Sequence, residues 1–344
     1  VRRQALYAAI VTVAVFGGGE LALRAAGLPA PGTVPSPGQP MVIRHDVDGD
    51  DWRGWHLFGT DDFVPDPDPS RSCLWVPRPS RAPFNADGAI GPLRATRPPP
   101  GTLRVLAIGD SNTLADGAAS WVQQIAGPLA GCAEVETINA GVHGYTTWQG
   151  RHRLERFIDS RPHVVVLAFG WNDPLPVRAP PDSQYGALLR AAPRSAPLAS
   201  SALVGSLRAV IAAARRPAAQ PRVSRDEFVD NHRAMVRTAL RGGALPIVAT
   251  RPFVLDERHE HLAIDVGHEE QVAAYAGALR ELAVAESVPL LDLQVVASAF
   301  DRAGDWQDTN HFTAAGHRKA AGMAEELLRG LGVSLCAPPP ASLP

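Results

Sequence analysis

The chain has 344 residues and a formal net charge of −2, enough to bury a full core as one large domain or two smaller ones. A charge so close to balance leaves no electrostatic footprint for nucleic acid. Three cysteines, Cys73, Cys132 and Cys336, are too few and too scattered for a zinc site or a disulfide framework. A single bridge outside the cytoplasm stays open, and Cys132 with Cys336 is the expected pair.

Arg2-Arg3 precedes an uncharged run from Gln4 to Gly19 that is apolar through Phe16, the pattern of an export signal. The run is shorter than the roughly 20 residues that span a bilayer. Continuing through Leu21-Ala22-Leu23 would nearly suffice apart from Glu20. Residues 1–28 therefore read as a cleaved signal peptide or an uncleaved membrane anchor. Either places the protein in the periplasm, outside the cell, or on the outer side of the cytoplasmic membrane. A Pro-rich linker follows over 29–40. Residues 41–100 are rich in Pro, Asp and Trp and show no helical period. They read as an irregular N-terminal extension packed on the core, with room for a hairpin. Asp46, Asp48, Asp50 and Asp51 have the composition of a calcium loop without its Gly-then-distant-Glu pattern, so a solvated acidic turn is expected.

From Leu103 onward, strand and helix patterns alternate. Strands are expected at Leu103–Ile108, Val135–Asn139, Val164–Phe169, Leu245–Thr250 and Val288–Leu293, and helices near 117–130, 147–159, 225–241, 268–286 and 313–330. Such alternation implies right-handed βαβ units and a mainly parallel sheet over 101–334. The helix at 225–241 lines up Phe228, Val229, His232, Met235, Val236, Ala239 and Leu240 on one stripe, so it should cover the sheet. A Pro- and Ala-rich insertion occupies 174–222, with a helix expected around Ala202–Arg215. Insertions at this rim of a parallel sheet usually shape a pocket. Residues 335–344 form a Pro-rich tail.

Three turns carry groups that acyl transfer needs. The first strand ends in Gly109-Asp110-Ser111, the second in Asn139-Ala140-Gly141-Val142-His143-Gly144-Tyr145-Thr146, the third in Gly170-Trp171-Asn172-Asp173. Taken alone, Ser111 could simply cap a helix beginning near Asp116. In a flavodoxin-like order 2-1-3-4-5, however, the first strand lies between the second and third, just where such sheets bind ligands. Ser111 is then flanked by the Gly144 backbone and the Asn172 amide, donors suited to an oxyanion hole, with the Ser111 N–H as a third. A base is still required. Asp308-Thr309-Asn310-His311 supplies a carboxylate three residues from an imidazole, within reach to orient its ring.

Gly109-Asp110-Ser111, Gly144, Gly170-x-Asn172-Asp173 and Asp308-x-x-His311 resemble, in order, the four sequence blocks of the SGNH hydrolases, also called GDSL-like lipases and acylhydrolases. The resemblance covers residues 103–330. It implies a three-layer α/β/α fold with a mainly parallel five-stranded sheet, Ser111 as nucleophile, Asp308 and His311 completing a triad, and Gly144 and Asn172 as oxyanion donors. Gly141 competes with Gly144; the family's Asn, a few residues, Gly, then Thr favours Gly144. An ordinary α/β-hydrolase would need glycine where Thr113 stands. Asn112 replaces the leucine of the G-D-S-L name, a change seen in the family's polysaccharide-acetyl branch.

The expected activity is a serine esterase that cleaves a small acyl ester, acetyl among the candidates, through an acyl-enzyme, with no metal and no cofactor. The expected partner is an ester substrate, such as an acylated polysaccharide or lipid. Two alternatives stand beside it: an O-acyltransferase on a cell-surface polysaccharide using the same triad, and a catalytically silent glycan-binding module. Asn112, His143, Trp171 and Arg251 are candidate substrate contacts. For Arg251, the competing reading is a bond to backbone carbonyls; for Trp171, packing under the insertion. His259, His261 and His268 with Asp256 and Glu260 lack the spacing that puts two metal ligands on one helix face.

Overall fold

The computed structural model describes residues 16–19, 21–22, 63–66, 68, 73–115, 120–177, 181–184, 218–254, 268–332 and 335–336. Most of the expected signal or anchor, the 29–40 linker, the Asp46–Asp51 cluster, the insertion helix at 202–215, His259 and His261 lie outside the described residues. Among those described, no helix is long and apolar enough to cross a membrane.

Within the N-terminal extension, β1 (Phe63–Pro65) and β2 (Trp75–Pro77) pair antiparallel with Val64 opposite Val76. The main sheet begins with β3 (Thr102–Gly109), followed by β4 (Glu134–Asn139) and β5 (Val164–Ala168). A small antiparallel pair, β6 (Pro176–Val177) and β7 (Gln220–Pro221), joins the two ends of the insertion. The sheet is completed by β8 (Leu245–Ala249) and β9 (Leu290–Leu291). Its order is β4-β3-β5-β8-β9, all parallel. This is the 2-1-3-4-5 arrangement, with β3 central, and it delivers Ser111 between the turns that follow β4 and β5.

Every residue of β3 is buried because helices cover both sheet faces. Alternation along the strand sorts the side chains. Leu106 and Ile108 join Val165, Leu167 and Val248 on one face, and Leu103, Val105 and Ala107 join Val164, Val166 and Ile247 on the other. Each large aliphatic side chain so buried contributes about 1.5–3 kcal/mol.

The helices, in chain order, are α1 (Ser111–Leu114), α2 (Trp121–Gln124), α3 (Thr147–Phe157), α4 (Arg225–Arg241), α5 (His268–Ala285), α6 (Leu293–Val296) and α7 (Ala314–Gly330). The first face is covered by α3, α4, α5 and the N-terminal extension, the second by α2, α7 and the aromatic trio Phe300, Trp306 and Phe312. α4 starts where Ser224 accepts a bond from the Glu227 N–H, with Asp226 and Glu227 in its first turn and Arg241 in its last, as the helix dipole favours. Its stripe faces the core apart from Leu240, which is exposed. α7 approaches the sheet closely through Ala320, Ala321 and Ala324.

Two boundaries differ from expectation. Of the helix expected at 117–130, residues 117–119 lie outside the described residues and the rest holds the single turn α2, with a separate turn, α1, before it. The last strand keeps only Leu290 and Leu291, because Pro289 offers no N–H to a ladder and Leu293 already begins α6. Cys132 and Cys336 form a disulfide with Cα atoms 5.1 Å apart, and the Leu335 N–H donates to the Ala130 carbonyl beside it.

Candidate active site

At the end of β3 the chain must turn sharply, and Gly109 makes that possible. A Cβ there would sit 2.0 Å from Thr113 Oγ1 and 2.8 Å from the Ala168 carbonyl oxygen. Asp110 then caps α1, its Oδ1 accepting from the Asn112 N–H at 3.0 Å. Ser111 is therefore not the cap of a later helix. It occupies the first helical position, where the backbone N–H has no partner within the helix. The other carboxylate oxygen, Asp110 Oδ2, lies 2.9 Å from Arg251 Nε, and both side chains are buried. Burial pushes the Asp110 carboxyl above its usual range, opposed by the Arg251 guanidinium.

Ser111 Oγ lies 2.7 Å from His311 Nε2, although 200 residues separate them. His311 Nδ1 lies 2.7 Å from Asp308 Oδ2. The carboxylate is itself fixed, since Asp308 Oδ1 accepts from the Asn310 and His311 backbone N–H groups at 2.9 and 2.8 Å. Burial alone would raise the Asp308 pKa, but the hydrogen bond and charge of His311, with those two N–H donors, hold it down at about 2. The Asn112 amide donates to the Asn310 carbonyl at 3.2 Å, tying the serine turn to the histidine loop.

On the β4 side, Gly144 adopts φ +72°, a conformation that favours glycine. The two glycines that competed for this role differ in their N–H groups. Gly141 donates to Asn139 Oδ1 at 3.0 Å, while among the described residues no acceptor takes the Gly144 N–H. On the β5 side, Asn172 is buried and spends one amide hydrogen on the Tyr145 carbonyl at 3.0 Å, leaving the second. The turns that carry Gly144, Ser111 and Asn172 thus follow the carboxyl ends of the adjacent parallel strands β4, β3 and β5.

The remaining candidates fall as follows. Asn112 is buried and serves the loop contact just described. His143 stands beside Gly144 with its ring edge-on to Phe63 at 5.9 Å. Burial, helped by nearby His311, pushes the His143 pKa down to about 3, so its ring is neutral. Trp171 is buried against His268 at 4.7 Å and Phe253 at 6.4 Å. Arg251 lies against the buried Asp110 carboxylate, a partner 141 positions away that no local pattern announces, and among the described residues no backbone carbonyl takes it. His268 packs on Trp171, and no three metal-ligating side chains cluster among the described residues.

Two contacts escaped the sequence reading. The Trp75 indole N–H donates to the His143 carbonyl at 3.2 Å, and Arg222 Nη1 donates to the Gly144 carbonyl at 2.7 Å. Each ends on main chain far along the sequence, where composition and spacing leave no trace.

The arrangement suits proton transfer from a hydroxyl to an imidazole, with N–H donors close by. Comparison with known proteins matches residues 107–319 to the GDSL-like Lipase/Acylhydrolase family. No curated protein matches. Similar solved structures include a lipase/acylhydrolase from Enterococcus faecalis, with 19% identity over 67% of this chain and 96% of that one and a TM-score of 0.44. The M. smegmatis aryl esterase shows 18% identity over 67% and 99%, with a TM-score of 0.42. A catalytic mutant of an acetylxylan esterase from Geobacillus stearothermophilus shows 15% over 69% and 97%, also with a TM-score of 0.42.

Proposed function

The chain belongs to the GDSL-like lipase/acylhydrolase family, and we propose that it hydrolyses a short acyl ester through a covalent intermediate on Ser111. The observation that carries this reading is the run of two 2.7 Å contacts, Ser111 Oγ to His311 Nε2 and His311 Nδ1 to Asp308 Oδ2. In the proposed cycle, Ser111 Oγ attacks the ester carbonyl carbon as its proton passes to His311 Nε2. The negative charge that develops on the carbonyl oxygen is held by the Ser111 and Gly144 N–H groups and the free Asn172 amide hydrogen. Collapse of the tetrahedral intermediate breaks the bond to the alcohol, which leaves with the proton from His311. Water then attacks the acyl-enzyme, giving its proton to His311, and the carboxylic acid departs as the serine is restored. Asp308 stays ionised throughout and stabilises the imidazolium.

The test is a panel of p-nitrophenyl esters of increasing acyl length together with an acetylated xylo-oligosaccharide, run on wild type and Ser111→Ala. Activity greatest on acetyl esters and abolished in the alanine variant is the expected result. Wild-type rates in the alanine variant, or no mass increase at Ser111 after fluorophosphonate treatment, would refute it. Transfer to an added sugar alcohol in preference to water would move the protein to the acyltransferase reading. We also propose that the protein works outside the cytoplasm. The N-terminal pattern and a disulfide between Cys132 and Cys336 support this, and free thiols at both positions in protein recovered from its native host would count against it.

A further inference from the structure

The segment His143-Gly144-Tyr145 presents three consecutive carbonyls, and each receives a donor from a different part of the chain. The Trp75 indole N–H, from β2, reaches the His143 carbonyl at 3.2 Å. Arg222 Nη1, just after β7, reaches the Gly144 carbonyl at 2.7 Å, and the Asn172 amide, after β5, reaches the Tyr145 carbonyl at 3.0 Å. Two of these clamps, Arg222 and Trp75, are themselves anchored. Arg222 is fully buried and holds Asp182 through Nε to Oδ1 at 3.2 Å and Nη2 to Oδ2 at 2.9 Å. Asp182 Oδ2 also accepts from Thr146 Oγ1 at 2.8 Å. The Tyr145 hydroxyl returns to the Trp75 carbonyl at 2.5 Å, closing a ring between the N-terminal hairpin and this loop.

The geometry of the peptide bond gives these contacts a consequence. In a planar trans peptide the carbonyl and the following N–H point to opposite sides. The His143 carbonyl and the Gly144 N–H belong to the same peptide, so a donor fixed on the carbonyl aims the N–H the other way. At Gly144, without a side chain to restrict it, that orientation would otherwise be soft. We propose that Trp75 and Arg222 are positioning residues for the Gly144 N–H as an oxyanion donor: Trp75 fixes the peptide that carries this N–H, and Arg222 fixes the following peptide, so Gly144 is held on both sides. The N-terminal extension and the ends of the insertion thereby become parts of the catalytic apparatus although neither carries a triad residue or an oxyanion donor. The inference rests on the hydrolase reading above for its kinetic consequence, but not for its structural one.

Trp75→Phe removes the indole N–H while keeping most of the buried ring, so the fold should survive. Losing an oxyanion donor outright costs about 10²–10³ in kcat, so loosening one should cost about tenfold, with KM within about twofold. Hydrogen exchange over 143–145 should quicken in the same variant. The second variant, Arg222→Met with Asp182→Leu, removes the guanidinium without stranding a buried carboxylate and should lower kcat by about 10- to 100-fold. Unchanged kcat in either folded variant, or a lost kcat with unchanged exchange over 143–145, overturns the proposal. Should wild type prove inactive on every ester and unreactive to fluorophosphonate, the hydrolase reading fails by itself. Exchange then still decides the clamp, and unchanged protection in both variants overturns it.

Discussion

Asp308→Asn is the substitution whose effect can be worked most fully from the geometry. The carboxylate uses Oδ1 for two backbone N–H groups and Oδ2 for His311 Nδ1. An asparagine that keeps its carbonyl on the two N–H donors must turn its NH₂ toward Nδ1. The imidazole would then accept at Nδ1 and carry its proton on Nε2, the atom that takes the proton from Ser111 in the proposed cycle. The charge matters as well. An ionised Asp308 stabilises the imidazolium that forms as the proton leaves Ser111, and a neutral asparagine does not. The wrong tautomer adds to this loss, and the expected fall in kcat is about 10³ or more. Stopped-flow hydrolysis of p-nitrophenyl acetate across pH 5–9 would measure it, with circular dichroism to show that the variant is folded. A folded variant that keeps kcat within tenfold of wild type would refute the argument.

Other expectations follow from buried charges and the covalent tie. Arg251→Met strands the Asp110 carboxylate and should cost about 3–5 kcal/mol in urea unfolding, while adding Asp110→Asn to it should recover part of the loss. Burial lifts Asp173 from 3.8 to about 7, against the pull of its bonds from Thr147, so the folded state holds a proton that the unfolded state has already released. Its contribution to stability is therefore lost as pH rises from about 4 to 7 and stays lost above. Asp173→Asn, which can still accept both Thr147 bonds through its carbonyl, should raise Tm at pH 8, with the gain vanishing below about pH 4. Equal gains at both pH values would be inconsistent with that assignment. Reduction of Cys132–Cys336 should destabilise the protein by about 2–4 kcal/mol, measured by paired melts with and without reductant.

The strands that position the site were legible because burial on both faces leaves continuous apolar runs. Leu103–Ile108 was expected where Thr102–Gly109 forms, and α4 matches its expected span from Arg225 to Arg241. Asp308 and His311 were legible for a different reason, since three residues in a turn suffice to bring carboxylate and ring together. Where partners are distant, the sequence is silent. Arg251 carries no mark of Asp110, and nothing near Trp75 or Arg222 announces a carbonyl at 143 or 144. The edge strand was overdrawn because Val288-Pro289-Leu290-Leu291 reads as continuous apolar chain, whereas hydrogen bonding there is limited by proline and by α6.

Cys132 lies two residues ahead of β4, so its bridge fastens Cys336 at the amino-terminal edge of the sheet. Ser111 opens at the carboxyl-terminal edge, about 20 Å away along six strand residues. Whatever follows Cys336 is therefore anchored at the edge opposite Ser111. Attachment at that edge would leave Ser111 facing solvent for the proposed esters, whereas attachment through the segment bearing Trp75 would act on the hairpin proposed to position Gly144.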